Sequence, residues 1–211
     1  MRDFPVFDTE NGVGSLILKQ IPYWGAAYIR IHDATEPEAF LEECVDFCRM
    51  AGAKQIYATG HELLEQYPEY TQIWKMSILK EGLPDTEAAL FPVTEKTAQQ
   101  WQTVYNEKMK NVPGSAYMTN RDMQQLIREG GGYFVHKDGE LLGLGKAGNN
   151  QIDAVISLKK DAGRIVVSAL VQILTGDRVT LEVASTNEKA LRLYESLGFM
   201  KTESISIWYR I

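Results

Sequence analysis

The run from Val179 to Phe199, VTLEVASTNEKALRLYESLGF, constrains the fold of this chain more than any other segment. Its first residues alternate apolar and polar side chains, which predicts a strand over Val179–Ala184. Gly198 suits the left-handed turn that ends a helix. The residues between carry apolar side chains at helical spacing, namely Ala190, Leu193, Tyr194 and Leu197. The run therefore predicts a strand followed by a helix whose Tyr194 faces a sheet.

The rest of the chain alternates between strand and helix patterns. The predicted strands are Ser15–Ile21, Trp24–His32, Lys54–Thr59, Gln72–Leu79, Tyr133–His136, Glu140–Lys146, Gln151–Leu158 and Thr202–Ile211. The predicted helices begin near Glu36 and otherwise cover His61–Tyr67, Glu95–Asn111, Arg121–Arg128, Gly163–Leu174 and Asn187–Leu197. Strands that alternate with helices predict the α/β class, with a mixed, twisted sheet flanked by helices on both faces.

Three of these helices begin near residues that suit N-capping. Thr35 and Glu38 have the spacing of a capping box, and so do Ser185 and Glu188. Asn120 directly precedes another predicted helix. We therefore expect Thr35, Asn120 and Ser185 to cap these helices.

Turn-forming residues between Glu81 and Pro92 mark the predicted domain boundary. Gly82, Pro84 and Asp85 interrupt both helix and strand patterns there. The boundary divides the chain into residues 1–85 and 90–211. The last six elements of the second segment repeat the order of the first, so we expect a partial unit followed by a fuller copy of one fold.

The composition is typical of a soluble globular protein, with 211 residues, of which 45% are hydrophobic and 24% charged. A net charge of −6 disfavours nucleic acid or an anionic membrane as the main partner. No apolar run could span a bilayer and no secretory pattern begins the sequence, so we expect a cytoplasmic protein. Cys44 and Cys48 share a helix face with no further metal ligands nearby, which predicts buried, reduced thiols and no metal site.

The same C-terminal run resembles the sequence pattern of the GCN5-related N-acetyltransferase (GNAT) family. The residues that carry the resemblance are Asn187, Ala190, Leu193-Tyr194 and Leu197-Gly198-Phe199. The element order from about Leu90 to Ile211 also follows this family, so the resemblance covers a little over half of the chain. Residues 1–85 look like a partial, degenerate copy, as in tandem members. The resemblance implies an acyl-CoA N-acyltransferase-like fold.

The resemblance also implies a reaction, in which acetyl-CoA is the co-substrate and an amine of a small molecule or peptide is the acceptor. Tyr194 stands where the family carries a tyrosine that protonates the departing thiolate, and a phenol with a pKa near ~10 suits that role. Asn187 stands where an asparagine touches the pantetheine arm. Asp153 is the candidate general base, with Glu182 as a rival. A core tyrosine, a helix-start asparagine and solvent-facing carboxylates remain the structural alternatives.

The chain departs from the family where the cofactor's pyrophosphate is held. The family uses N–H groups at the start of its central helix, within a glycine-containing pattern. Counting back from Leu170 places Ala162, Ile165 and Val167 at the motif positions. A shift of two residues places Lys160 and Gly163 on the first two positions, and neither frame restores the motif.

We nevertheless expect the cofactor to lie along this segment. The pantetheine arm would contact the backbone of Ile156 and Leu158. Lys159, Lys160 and Arg164 form a basic cluster that could replace the missing glycines with charge. The residues predicted to meet the pyrophosphate are Lys160, Ala162, Gly163, Arg164, Ile165 and Val166.

The sequence thus predicts an acetyl-CoA-dependent N-acetyltransferase. An alternative is a non-catalytic binding module that keeps the GNAT fold and has lost the pyrophosphate cradle. In a third interpretation, the first segment serves mainly to pair with another chain. A homo-oligomer also remains open.

Overall fold

A computed structural model describes residues 5–83, 86–110, 112 and 114–211. The strands are β1 (Val6–Thr9), β2 (Gly12–Ile17), β3 (Ala26–Ala34), β4 (Gln55–Thr59), β5 (Glu69–Leu79), β6 (Ala89–Pro92), β7 (Gly132–Lys137), β8 (Glu140–Gly148), β9 (Gln151–Ser157), β10 (Arg178–Ala184) and β11 (Met200–Arg210). The helices are α1 (Ile21–Trp24), α2 (Pro37–Met50), α3 (Ala98–Met109), α4 (Asn120–Glu129), α5 (Gly163–Ile173) and α6 (Glu188–Ser196). Two 3-10 helices cover Glu62–Gln66 and Lys80–Gly82. The predicted α/β class is confirmed.

The chain forms two compact units. One comprises residues up to Ile73 together with Ser204–Ile211, and the other comprises Trp74–Glu203. This division falls within β5 and lies upstream of the predicted boundary, where Pro84 and Asp85 lie outside the described residues. Compactness does not test whether residues 1–85 and 90–211 are related copies, so that division stays a prediction.

In the first unit, strands follow the order β1-β2-β3-β4-β11. β3 and β4 are parallel and pair from Ala26–Gln55 to Arg30–Thr59. α2 connects them and buries one stripe against the sheet, formed by Phe40, Leu41, Cys44, Val45 and Cys48. Burial raises the pKa of both thiols, that of Cys44 to about 12, as expected for reduced cysteines in a core.

In the second unit, strands follow the order β5-β10-β9-β8-β7-β6, and residues 200–203 at the start of β11 lie beside β5. The strands from β6 to β9 are successive antiparallel neighbours, whereas β9 and β10 are parallel. α5 and α6 pack with one face of this sheet in a core that includes Val166, Leu170 and Leu181. α3 and α4 form a second core, around Trp101 and Leu144. Helices thus cover both faces, as predicted.

The predicted elements match the structure except at a few ends. The strand predicted over Ser15–Ile21 ends at Ile17, because Ile21 already begins α1. Pro22 fits the first turn of that helix, where its missing N–H leaves no helical bond unmade. The short strands β1 and β6 were not predicted, since four residues carry too little periodicity to identify a strand.

The predicted helix caps are wrong in all three cases. Glu36 occupies the cap position of α2, and Thr35 Oγ1 instead donates to the carbonyl of Asn11 at 3.2 Å. Thr119 caps α4 in place of Asn120 and forms a full capping box. Asn187 caps α6 in place of Ser185.

No helix of the described residues is both long and apolar enough to cross a membrane. Within the same residues, no group of three or more His, Cys, Asp or Glu side chains could hold a metal ion.

Candidate functional site

A cleft opens between the parallel strands β9 and β10. Their ladder consists of two pairs, Thr180–Gln151 and Leu181–Ile152. Both strands continue beyond it, β9 to Ser157 and β10 to Ala184. The predicted pairing of these strands in one sheet and their predicted separation at one end are therefore confirmed.

A β-bulge explains why the strands separate. β8 pairs Lys146 with Ala154 and Ala147 with Ile152, so Asp153 is an extra residue in β9. An extra residue bends and twists the strand that carries it. The bulge follows directly after the last residue of β9 that pairs with β10, so it turns β9 away from its partner.

Two helices begin at the open end of the cleft. α5 follows β9, and α6 follows β10. In α5, the first helical bond runs from Val166 N–H to the carbonyl of Ala162. The N–H groups of Gly163, Arg164 and Ile165 therefore have no acceptor within the helix, and this end carries a partial positive charge. Carboxyl ends of parallel strands and helix N-termini are where α/β folds bind anionic ligands.

The branched side chains at the start of α5 turn inward. Val166 and Val167 are fully buried, and Ile165 packs against the same core. Gly163 lies close to α6, because a Cβ at this position would lie 2.9 Å from Leu193 Cδ2. Leu193 therefore occupies space beside the backbone that the sequence assigns to the pyrophosphate.

The basic cluster is only partly available to a ligand. Lys159 pairs with Glu140 at 3.4 Å. Arg164 donates to Ser196 Oγ, at the end of α6, at 3.0 Å. Lys160 is exposed, and no ion pair of its ammonium is found among the described residues.

Tyr194 is buried in the core beneath α6, with 8% of its surface exposed. Burial raises its pKa to about 12, so the phenol stays protonated at neutral pH. The centroid of its ring lies 5.8 Å from the ring centroid of Phe199. Across the described residues its hydroxyl has no hydrogen-bond partner, and the one fully enclosed side-chain atom left unsatisfied there is Ser168 Oγ. The Tyr194 hydroxyl therefore keeps some access to solvent.

Asn187 has a structural role at the start of α6. Its Oδ1 accepts a hydrogen bond from Ala190 N–H at 3.3 Å. This is the helix-start alternative that the sequence left open. The bond uses the amide oxygen and leaves the amide nitrogen of Asn187 as the group that could meet a ligand.

Asp153 projects from the bulge and pairs with Lys146 at 2.9 Å, each side chain being 37% exposed. The charge of Asp153 also affects the pKa of Tyr105. Burial, and then the carboxylates of Asp153 and Asp122, raise that pKa to about 12. The rival base, Glu182, lies exposed on β10. Asp153 is therefore the candidate that the fold holds in a defined position.

The strand phase corrects the predicted backbone contacts. Leu158 N–H donates to the carbonyl of Leu142 at 2.9 Å, and Ile156 pairs with Leu144 two residues earlier. Peptide groups alternate along a strand, so those of Ile156 and Leu158 face β8. The peptide groups of Val155 and Ser157 face the cleft instead, and no sequence signal indicates them.

Comparisons with known proteins identify structures that share this fold. No family model matches the chain, and no curated protein matches it in sequence. A functionally unknown conserved protein from Staphylococcus epidermidis ATCC 12228 matches all of this chain and 94% of its own, with 10% identity and a TM-score of 0.63. A GCN5-related N-acetyltransferase from Kribbella flavida matches 97% of this chain and 58% of its own, with 11% identity and a TM-score of 0.56.

A tandem GNAT protein from the clavulanic acid biosynthesis pathway matches 95% of this chain and 78% of its own, with 11% identity and a TM-score of 0.52. At such low identity the likeness concerns the fold and not the activity. The strand order, the cleft between β9 and β10 and these neighbours together show that this chain has the fold of the GCN5-related N-acetyltransferases.

Proposed function

We propose that this protein transfers an acyl group, with acetyl-CoA as the first candidate donor, to an amine of a small molecule or peptide. The observation that carries the proposal is the separation of β9 and β10 after two residue pairs, with α5 and α6 beginning at the open end. Such a cleft presents free peptide groups to an extended chain and helix N–H groups to an anion.

Each part of the donor has a proposed contact. The peptide groups of Val155 and Ser157 would hold the pantetheine arm as a neighbouring strand would. The N–H groups at the start of α5 would bind the pyrophosphate, with Lys160 adding a charge. These roles use the predicted segment from Ala162 to Val166, whose branched side chains pack into the core.

Tyr194 and Asp153 are the proposed catalytic residues. As the acceptor nitrogen bonds to the acyl carbon and the carbon–sulfur bond breaks, the Tyr194 hydroxyl gives its proton to the departing sulfur. The proton released by the amine passes to the carboxylate of Asp153, directly or through water. A phenol that stays protonated at neutral pH suits the first step.

A second candidate function is a non-catalytic module on the same fold. Leu193 packs close to Gly163, and Arg164 is bonded to α6, so two features of the predicted pyrophosphate site serve α5–α6 packing. If these contacts exclude the pyrophosphate, the cleft would bind another extended ligand and catalyse nothing.

We further propose that the first unit is a degenerate copy that binds no CoA. β2, β3, α2 and β4 repeat the order of β8, β9, α5 and β10, and β3 also carries one extra residue, His32, relative to β2. However, Glu36, Pro37 and Glu38 stand where an anion would meet the helix start. Two carboxylates and a missing N–H there oppose phosphate binding.

A thermal-shift measurement tests the proposal. A ligand that binds only the folded state stabilises it by about 2.7 kcal/mol at a hundredfold excess over its Kd. We expect acetyl-CoA and desulfo-CoA to raise the Tm, and acetyl-CoA to release free thiol when the right amine is added. Binding of CoA without thiol release for any amine would favour the non-catalytic module. No Tm shift with either nucleotide would refute both CoA binding and transfer.

A further inference from the structure

A groove in the first unit lies where β4 ends between its two neighbours. β4 pairs with β3 on one side and β11 on the other, and it ends at Thr59. β3 continues to Ala34, while the β11 ladder with β4 comprises Tyr209 and Arg210. Beyond Thr59 the two outer strands flank a cavity of about 490 Å³. This volume lies in the usual range of ligand pockets.

The β11 wall of this groove offers backbone groups for pairing. Ile211 N–H donates to the carbonyl of Ile56, so every second residue of β11 directs its peptide groups toward the line of β4. Ile207 and Ile205 belong to this set. The carbonyl of Ile207 accepts from Thr59 Oγ1 at 2.6 Å, but β4 ends before it could pair with Ile205. An open strand edge of this kind can accept an added strand from an extended peptide.

The β3 wall does not close the groove. β2 pairs Val13 with Asp33 and Gly14 with Ile31, so His32 is an extra residue that bends β3 at this point. His32 Nε2 lies 2.7 Å from Ser15 Oγ, which directs the imidazole along the sheet face toward β2. Gly60 still lies against this wall, since a Cβ there would lie 2.2 Å from the carbonyl oxygen of Ile31, and the gap between β3 and β11 opens beyond it.

The mouth of the groove is acidic. Glu62 and Glu65 line it from the 3-10 helix, and both are exposed. The pKa of Tyr209, which also lines the groove, is raised by partial burial and then by the carboxylates of Glu65 and Glu69. Arg30 is the counter-charge on the opposite wall, so the lining has more negative than positive groups at neutral pH.

We propose that this groove binds an extended peptide segment carrying a basic side chain. The peptide continues the line of β4, pairs with the open edge of β11 at Ile205 and sets its basic side chain against Glu62 and Glu65. Backbone pairing supplies affinity, and the two carboxylates select the side chain. This site is separate from the proposed transfer reaction, and its test requires neither CoA nor turnover.

The test uses blocked tetrapeptides of alternating valine and lysine, titrated by calorimetry into the full-length protein. Two matched probes carry glutamate in place of lysine, or N-methyl groups on the backbone amides. We expect the lysine peptide to bind, and both matched probes to bind at least about fivefold more weakly. Equal binding of the N-methylated probe, preference for the acidic probe, or no binding of the lysine peptide at millimolar concentration would each overturn the proposal.

Two variants locate the site. Glu62→Gln with Glu65→Gln should weaken binding of the lysine peptide about fivefold at low salt and less at high salt. Ile205→Pro removes an N–H that faces the groove and no ladder bond on the other side of β11, so it should weaken binding, whereas Ile205→Val should not. Unchanged affinity in the glutamine variant would contradict the site even if the proline variant failed to fold.

Discussion

Replacing Tyr194 by Phe tests the catalytic role of its hydroxyl separately from the packing role of its ring. The change removes one hydroxyl and keeps the ring beside Phe199. Because that hydroxyl has no hydrogen-bond partner among the described residues, its loss breaks no hydrogen bond within them. We expect the free energy of unfolding at neutral pH to change by less than about 0.5 kcal/mol, smaller than the usual effect of removing a hydrogen bond.

The free energy of unfolding of the two proteins should also differ in its dependence on pH. Burial raises the pKa of Tyr194 from about 10 to about 12, so the folded state holds this proton more tightly than the unfolded state. The resulting stabilisation, about 3 kcal/mol at most, is present below pH 10 and is lost as the pH rises toward 12. Phenylalanine lacks this titration, whereas the other tyrosines titrate in both proteins. At pH 10.5 the variant should therefore gain about 1 kcal/mol relative to the original protein.

The assay combines urea unfolding at pH 8 and pH 10.5 with thiol release from acetyl-CoA. If Tyr194 is the general acid, turnover at neutral pH should fall by about a hundredfold or more, while the Kd for CoA stays unchanged. Full turnover in the Phe variant would remove Tyr194 from the mechanism. A loss of 1–2 kcal/mol at pH 8 would show that the hydroxyl makes a stabilising bond after all, and would refute the argument from its missing partner.

Three further predictions follow from the same cleft. Lys160→Ala should weaken CoA binding about tenfold in calorimetry at low salt, with a smaller effect at high salt, and an unchanged Kd would place the pyrophosphate elsewhere. Asp153→Asn should lower turnover by about a hundredfold. It should change the free energy of unfolding by less than about 1 kcal/mol, because the side chains of Asp153 and its partner Lys146 are equally exposed. Retained turnover would shift the role of base to Glu182. Asn187→Ala should lower the free energy of unfolding by about 1 kcal/mol through loss of the α6 cap, and a denaturation midpoint equal to that of the original protein would contradict the capping role.

The strand and helix of the C-terminal run could be predicted because their determinants are local. Alternation over Val179–Ala184 and the spacing of Leu193, Tyr194 and Leu197 depend only on neighbours in sequence, and the structure places β10 and α6 there. The same local signals predicted α5 and the β7–β8 hairpin. The fold class followed from the order of these elements.

The geometry of the cleft could not be predicted in the same way. The extra residue at Asp153 exists only relative to β8, and it decides where β9 leaves β10. The predicted contacts at Ile156 and Leu158 missed the phase of the strand, because the sequence does not show which edge of β9 is already paired. Leu193 was read only as a helix-packing residue, since its approach to Gly163 depends on the packing of two helices.

The Thr35 cap failed for a related reason. Thr35 has the right spacing for a capping box, but its hydroxyl is taken by the Glu10–Asn11 turn of the β1–β2 hairpin, a distant partner in sequence. A capping pattern competes with every other acceptor that the fold brings near, and the sequence does not contain that competition.

The assignment of Ser204–Ile211 to the first unit has a consequence for synthesis on the ribosome. The β1–β4 part of that unit is complete when Ile73 has been made, but its last strand follows only after the whole of Trp74–Glu203. At ordinary elongation rates that delay is roughly ten seconds. During this delay, the edge of β4 that later pairs with β11 is unpaired and can form a ladder with another strand, including one from a second nascent chain. Slow translation of the middle of the message should therefore favour misassembly of the first unit.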